Sequence, residues 1–114
     1  MGSGNPQTIT VSGSTFHASG GNGIQISGSS NTFHIVRTSA VGSSGTGYGL
    51  YEQTSGGNTI TVDHSQLSGT TGSVLVSSPF SAGASQLAGT VSTGTATCVA
   101  SYNGSYTALS ATCH

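Results

Sequence analysis

The sequence predicts an all-β fold, a right-handed three-faced parallel β-helix (a β-solenoid) of about four coils with a disulfide-bonded C-terminal cap. Three observations predict it. Strand-like segments recur after 24 and 27 residues, glycines fill the gaps between them, and apolar residues alternate with polar ones inside each segment. Three short strands per coil of this length are typical of a parallel β-helix. We therefore divide the chain into a leader or N-terminal linker (1–7), β-helix coils (8–94) and a cap (95–114).

The first strand of each coil carries the clearest repeat. It begins at Thr8, Thr32 and Thr59, and Asn precedes the second and third copies. Ile9 and Val11 alternate with threonines, so the aliphatic side chains would point into the bore and the threonines out of it. One coil alone cannot bury its apolar row, so each coil needs a stacked neighbour.

Two further repeats fill each coil. The first aligns Ser14-Thr15-Phe16 with Ser39-Ala40-Val41, Ser65-Gln66-Leu67 and Ser85-Gln86-Leu87, and the second aligns Gly23–Ser27 with Gly49–Glu52 and Ser73–Ser77. The fourth coil begins near Ser81 and is degenerate. We therefore predict three full coils followed by a shorter one.

The pattern changes after residue 94, in the segment that we predict to be the cap. Both cysteines, Cys98 and Cys113, fall there together with Tyr102, Tyr106 and Leu109. In a chain with few charges and many hydroxyl groups, a disulfide in an oxidising compartment is favoured over two free thiols. Closing a loop of this size stabilises a fold by about 3 kcal/mol. The cap would cover the lower edge of the coils.

The upper edge shows no comparable cap in the sequence. Four coils with one uncovered edge are marginal for a lone monomer. We therefore expect a homo-oligomer, either a trimer or an end-to-end assembly.

The charge content excludes several classes of partner. Only 3% of residues are charged, the net charge is −1, and Arg37 is the one basic residue besides the histidines. One Arg cannot form the basic stripe that nucleic acid or an anionic membrane surface requires. No apolar run approaches the length of a membrane span. We expect no nucleic acid and no membrane among the partners.

The coil repeats and the C-terminal ending together resemble a known group of proteins. The residues concerned are the Ser-x-Leu-x-Gly segments at 65–69 and 85–89 and the ending Thr97-Cys98-Val99, Tyr102, Tyr106, Leu109 and Cys113. They look like the C-terminal end of bacterial right-handed β-helix proteins of the pectate-lyase-like superfamily. The resemblance implies the fold, but the superfamily includes lyases, phage tailspikes and adhesins, so it does not imply one function.

Catalytic machinery and cofactors are not expected. A lyase of that superfamily would need several acidic calcium ligands and a base, whereas this chain offers Glu52, Asp63 and Arg37. Asp63-His64-Ser65 contains the residue types of a hydrolase triad, but consecutive strand residues point to opposite faces and cannot form the relay. The four histidines show no metal-ligand spacing, although stacking could bring His17, His34 and His64 together. Asn103-Gly104-Ser105 is interpreted as a tight turn.

The outward threonines suggest one specific alternative function. Thr8, Thr10, Thr32, Thr59 and Thr61 would form ladders at the strand spacing of about 4.8 Å, interrupted at His34. The run Thr93, Thr95 and Thr97 has the same alternation and would also place its hydroxyl groups on one strand face. Such ladders resemble the faces of ice-binding β-solenoids, although Thr also suits any outward strand position.

The sequence is therefore compatible with three functions. The leading interpretation is a non-catalytic structural or surface-display module, such as the tip of an extracellular or phage-fibre-like β-helix, which binds glycans or a partner subunit. It would lie outside the cell or on a cell or virion surface. The alternatives are an ice-binding solenoid and a degenerate polysaccharide lyase or hydrolase.

Overall fold

The computed structural model describes residues 7–43, 47–53 and 57–114. Its strands are β1 Thr8–Ser12, β2 Thr15–His17, β3 Ile24–Ile26, β4 Thr32–Val36, β5 Ser39–Gly42, β6 Tyr48–Glu52, β7 Thr59–Asp63, β8 Gln66–Gly69, β9 Gly72–Val76, β10 Phe80–Gly83, β11 Gln86–Ala88, β12 Val91–Thr93 and β13 Ala96–Val99. Of the predicted leader, only Gln7 lies within the described residues.

The strands form three parallel sheets, which confirms the predicted solenoid. Sheet A has the order β1-β4-β7-β10-β13, sheet B the order β2-β5-β8-β11, and sheet C the order β3-β6-β9-β12. Strands three apart in the chain are therefore neighbours in space. β13 lies beyond residue 94, where we predict the cap to begin, yet it pairs in parallel with β10 as the last strand of sheet A.

The core is a stack of inward-pointing side chains. In sheet A, Ile9, Phe33, Ile60 and Phe80 lie in one column because the parallel register places them opposite one another. Phe33, Ile60 and Phe80 are buried, while Ile9 in the first strand is only partly buried. Phe33, Ile60 and Phe80 are thus covered by the coils above and below them, whereas Ile9 has a described neighbouring coil on one side only.

One alignment predicted for sheet B is wrong by a single residue. Thr15 pairs with Ser39, and Phe16 pairs with Ala40, so Ala40 points inward and Val41 does not. The two-residue periodicity of a strand turns every side chain to the opposite face after a slip of one position. Thr38, which the predicted repeat does not include, takes the place of the serines at this corner: its N–H donates to Ser65 Oγ at 3.1 Å.

Two ladders of buried polar side chains hold the corners of the coils together. In the first, Asn31 N donates to Asn58 Oδ1 at 2.9 Å, and Asn58 N donates to Ser78 Oγ at 3.1 Å. In the second, Ser65 N donates to Ser85 Oγ at 3.1 Å, and Ser85 N donates to Ser101 Oγ at 3.3 Å. Within the described ranges every buried side-chain polar atom has a hydrogen-bond partner. The Asn that precedes the repeated strand is therefore a structural element of the stack.

Candidate functional site

The outward side of sheet A carries an ordered array of hydroxyl groups, which we call the threonine face. Its first column is Thr8, Thr32 and Thr59, and its second column is Thr10, His34, Thr61, Ser81 and Thr97. Six of these eight positions are Thr, and none of the eight side chains is buried. Neighbouring strands lie about 4.8 Å apart, and successive outward positions on a strand lie about 6.6 Å apart.

The ladder predicted from the sequence is only part of this face. The five threonines of the predicted ladder lie in β1, β4 and β7, whereas Ser81 in β10 and Thr97 in β13 continue the second column. The sequence predicts that Thr93, Thr95 and Thr97 share one strand face, but Thr93 lies in β12 and Thr97 in β13. Thr97 aligns with Ser81 although the coils become shorter along the chain: ladder hydrogen bonds link residues 24 and 27 positions apart at the first coils, but 20 and 16 apart at the last ones. The first column is interrupted after Thr59, since Pro79 precedes the paired Phe80.

A shallow polar groove of about 280 Å³ runs across the corner between sheets A and B. It is lined by Gly13, Ser14, Thr15, Arg37, Thr38, Ser39, His64 and Gln66, which belong to three successive coils. Arg37 and His64 occupy equivalent corner positions with φ of 47° and 48°. Since Ala84 and Ala100 share this conformation at the corners of the later coils, the positive φ is a requirement of the coil corner.

Asp63 and His64 are brought together at this corner, contrary to our expectation. His64 Nδ1 lies 3.1 Å from Asp63 Oδ1 because the left-handed backbone at His64 ends the strand alternation. Ser65 is buried and its hydroxyl donates to the Asp63 carbonyl oxygen at 2.9 Å. The Ser65 hydroxyl is therefore committed to the corner ladder, and the three groups do not form a nucleophilic relay.

Glu52 occupies an inward position of sheet C, opposite Ile26. Its Oε1 accepts hydrogen bonds from Ser77 N at 2.8 Å and Ser78 N at 2.9 Å, and its Oε2 accepts from Asn58 Nδ2 at 2.6 Å and from the Ser78 hydroxyl. Burial alone would raise the pKa of Glu52, but the hydrogen bonds from Ser78, Asn58 and Ser77 outweigh it, so the pKa lies below its ordinary value. Both carboxylate oxygens are occupied by structural donors.

The histidines do not converge on a common point. His17 lies on β2 in sheet B, His34 on β4 in sheet A, and His64 at the corner between these sheets. Within the described part of the chain, no group of three or more His, Cys, Asp or Glu side chains is placed to hold a metal ion.

The C-terminal cap is organised around the predicted disulfide. Cys98 and Cys113 are bonded, with their Cα atoms 5.2 Å apart. Cys98 N donates to Ala111 O at 2.8 Å, and Leu109 N donates to Ser101 O at 2.8 Å, so the last residues cover the outer edge of sheet A. Leu109 also packs against the core.

The two cap tyrosines are stacked, with ring centroids 5.4 Å apart and an interplanar angle of 19°. Tyr102 pairs with Gln86 at the edge of sheet B, and Tyr106 is 78% exposed. Gly104 and Ser105 form the predicted turn between them.

None of the described residues forms a helix with the length and apolar character required to span a bilayer.

Comparison with known proteins does not assign the chain to a family. No protein-family model, no curated protein and no solved structure matches the chain.

Proposed function

We propose that the chain is a non-catalytic structural module that forms the display tip of a β-solenoid outside the cell or on a cell or virion surface. The observation that carries this proposal is the difference between the two ends of the stack. At the C-terminal end, the cap covers the outer edges of sheets A and B. Among the described residues, nothing pairs with the outer edges of β1, β2 and β3 at the other end.

The packing of the first coil supports an attachment role for this open end. Ile9, Val11 and Phe16 are only partly buried, whereas Phe33 and Ile35, the partners of Ile9 and Val11 in the next coil, are each 1% exposed. An uncovered strand edge beside exposed apolar side chains favours pairing with another chain. In the isolated chain, the open end would pair with the open end of a second copy.

The chemistry of the lateral surface and the cap agrees with a display role. The disulfide suits an oxidising compartment. Of the two acidic side chains in the sequence, Glu52 is committed to internal hydrogen bonds, and Asp63 lies on a different sheet. A pair of carboxylates across a cleft, as glycoside hydrolysis requires, is therefore not formed by these two residues.

Sedimentation velocity on the intact chain tests the attachment role. The Gln7 carbonyl and the Gly13 N–H, which flank β1, both face β4. Because alternate residues of a parallel strand direct their backbone groups to opposite sides, the Thr10 N–H faces the open edge. Thr10→Pro removes this N–H donor from the open edge and keeps the hydrogen bonds between β1 and β4. Thr10→Val keeps both the donor and those hydrogen bonds.

We expect a discrete end-to-end oligomer for the wild type and Thr10→Val, and a monomer for Thr10→Pro. A wild-type monomer would refute the attachment role. An oligomer that Thr10→Pro leaves unchanged would also refute it, because its interface would lie elsewhere.

The threonine face supports a second candidate function, ice binding. The specific observation is the parallel register, which places six threonines on one side of one sheet in two columns. A rigid parallel sheet repeats its hydroxyl and methyl groups at fixed spacings in two directions, as a lattice plane of ice does.

Thermal hysteresis and ice shaping at millimolar protein concentration test this candidate. Thr61→Tyr would obstruct the centre of the face and abolish the activity, whereas Ser68→Tyr, at an outward position of sheet B, would leave it unchanged. His34→Thr would complete the second column at β4 and increase the activity. Absence of ice shaping by the wild-type protein would eliminate this function.

A further inference from the structure

The exposed tyrosine of the cap has an unusual backbone. Tyr106 has φ of 61°, in the left-handed region that bulky side chains rarely adopt, and 78% of its surface is exposed. It is one of two large hydrophobic side chains exposed in the described part of the chain, the other being Val99. Burial in the core therefore does not account for a Tyr at this position.

The loop that carries Tyr106 is held in one conformation by hydrogen bonds. Asn103 Oδ1 accepts from Ser105 N at 2.8 Å and from Thr107 N at 3.0 Å. Asn103 N donates to Thr107 O at 2.9 Å, and Tyr106 N donates to Asn103 O at 3.0 Å. With Tyr102 stacked on it, the Tyr106 ring is oriented before any ligand arrives, which lowers the entropic cost of binding.

The groups around the stacked pair restrict the chemistry of a ligand. Residues 64 to 114 contain no Asp, Glu, Lys or Arg, so this half of the chain offers no carboxylate, ammonium or guanidinium side chain to an ionic ligand. The loop exposes Ser105 and Thr107, and Gln86 donates to the Asn103 carbonyl at 3.4 Å. The exposed ring of Tyr106 is surrounded by hydroxyl and amide groups and, in the described ranges of the chain, does not form part of an extended apolar patch. This surface therefore differs from the apolar centre of a protein–protein interface.

We propose that Tyr102 and Tyr106 form a stacking platform for the ring of a neutral hexose in a glycan. The C–H face of the sugar would lie against the exposed face of Tyr106, and the hydroxyl and amide groups of the loop would bind the sugar hydroxyls. This proposal rests on the display function, because that function leaves the capped end free in solution. The tip would then bind glycans through their neutral hexose rings.

Saturation-transfer-difference NMR with neutral methyl glycosides of glucose, galactose, mannose and N-acetylglucosamine tests the platform on the intact chain. We expect a saturable signal on the ring protons of at least one sugar. Tyr106→Asn removes the ring and places a residue that tolerates positive φ, and should weaken binding roughly tenfold. Tyr106→Phe keeps the ring and should keep most of the binding.

Tyr51→Thr provides the matched control, because Tyr51 belongs to the other stacked pair, with Tyr48 on sheet C. It should bind as the wild type does. Absence of a saturable signal with every sugar, or equal binding by Tyr106→Asn and the wild type, would overturn the platform. Sedimentation reports the assembly of the open end independently, so failure of the platform and failure of the display function are distinguishable.

Discussion

Glu52 allows a sharp test of what holds the corner between sheets C and A together. Its carboxylate connects sheet C to the following coil through Ser77 and Ser78 and to the Asn ladder through Asn58. Glu52→Gln keeps the shape but replaces one oxygen by an amide nitrogen, which would then face donors. A hydrogen bond to a charged group contributes about 1.5–3 kcal/mol, so loss of the charge and one acceptor should cost about 3 kcal/mol. For a chain of this length we expect a melting temperature roughly 10–15 °C lower.

The same residue predicts an acid-labile stability. The folded-state pKa of Glu52 lies below the unfolded value of about 4.3, so the unfolded chain binds the proton more tightly. The stabilisation is therefore complete above the unfolded pKa and is lost as the pH falls through the folded pKa. Because Asp63 is the only other acidic side chain in the sequence, few other carboxyl groups contribute in this range.

Urea unfolding followed by circular dichroism, with the disulfide intact, would measure this effect between about pH 7 and about pH 3. The wild type should lose stability below about pH 4.3 more steeply than Glu52→Gln, so that the two curves converge. Asp63→Asn, at a half-exposed position, should change the stability by less than about 1 kcal/mol and keep the steep decline. Wild-type and Glu52→Gln curves that stay parallel down to about pH 3 would refute the reasoning.

Three further perturbations test the cap, the core and the coil corner. Replacing Cys98 and Cys113 by Ser should lower the free energy of unfolding by about 3 kcal/mol, and a melting temperature equal to that of the wild type would contradict a stabilising cap. Phe33→Ala, in the middle of the buried stack, should cost about 3–5 kcal/mol in chemical unfolding; a loss below about 1 kcal/mol would show that the neighbouring coils collapse into the cavity. Ala84→Gly should raise the stability by roughly 0.5–1 kcal/mol in the same assay, because φ of 46° strains a residue with a Cβ; a decrease would mean that the added chain entropy outweighs the strain.

The fold class and the disulfide could be predicted from the amino-acid sequence alone. Ile9 and Val11 alternate with threonines, and the first strand of each coil begins at Thr8, Thr32 or Thr59. These local patterns correspond directly to strands that stack in parallel. The disulfide followed from composition and cysteine count. These features depend on near neighbours in the chain or on simple repetition, so no coordinates were needed to predict them.

The strand register, and therefore the composition of each surface, depends on the three-dimensional packing of the coils. A slip of one residue separates the predicted from the observed alignment of Ser39, and only the pairing with Thr15 shows which side chain faces inward. Thr97 lies on the threonine face because the last coils are shorter than the first ones. The burial of Glu52, the corner contact of Asp63 with His64 and the stacking of Tyr102 on Tyr106 all depend on the path of a corner or a cap. The repeat specifies which strands are neighbours, but coil length and corner conformation, which vary from coil to coil, decide which side chains meet.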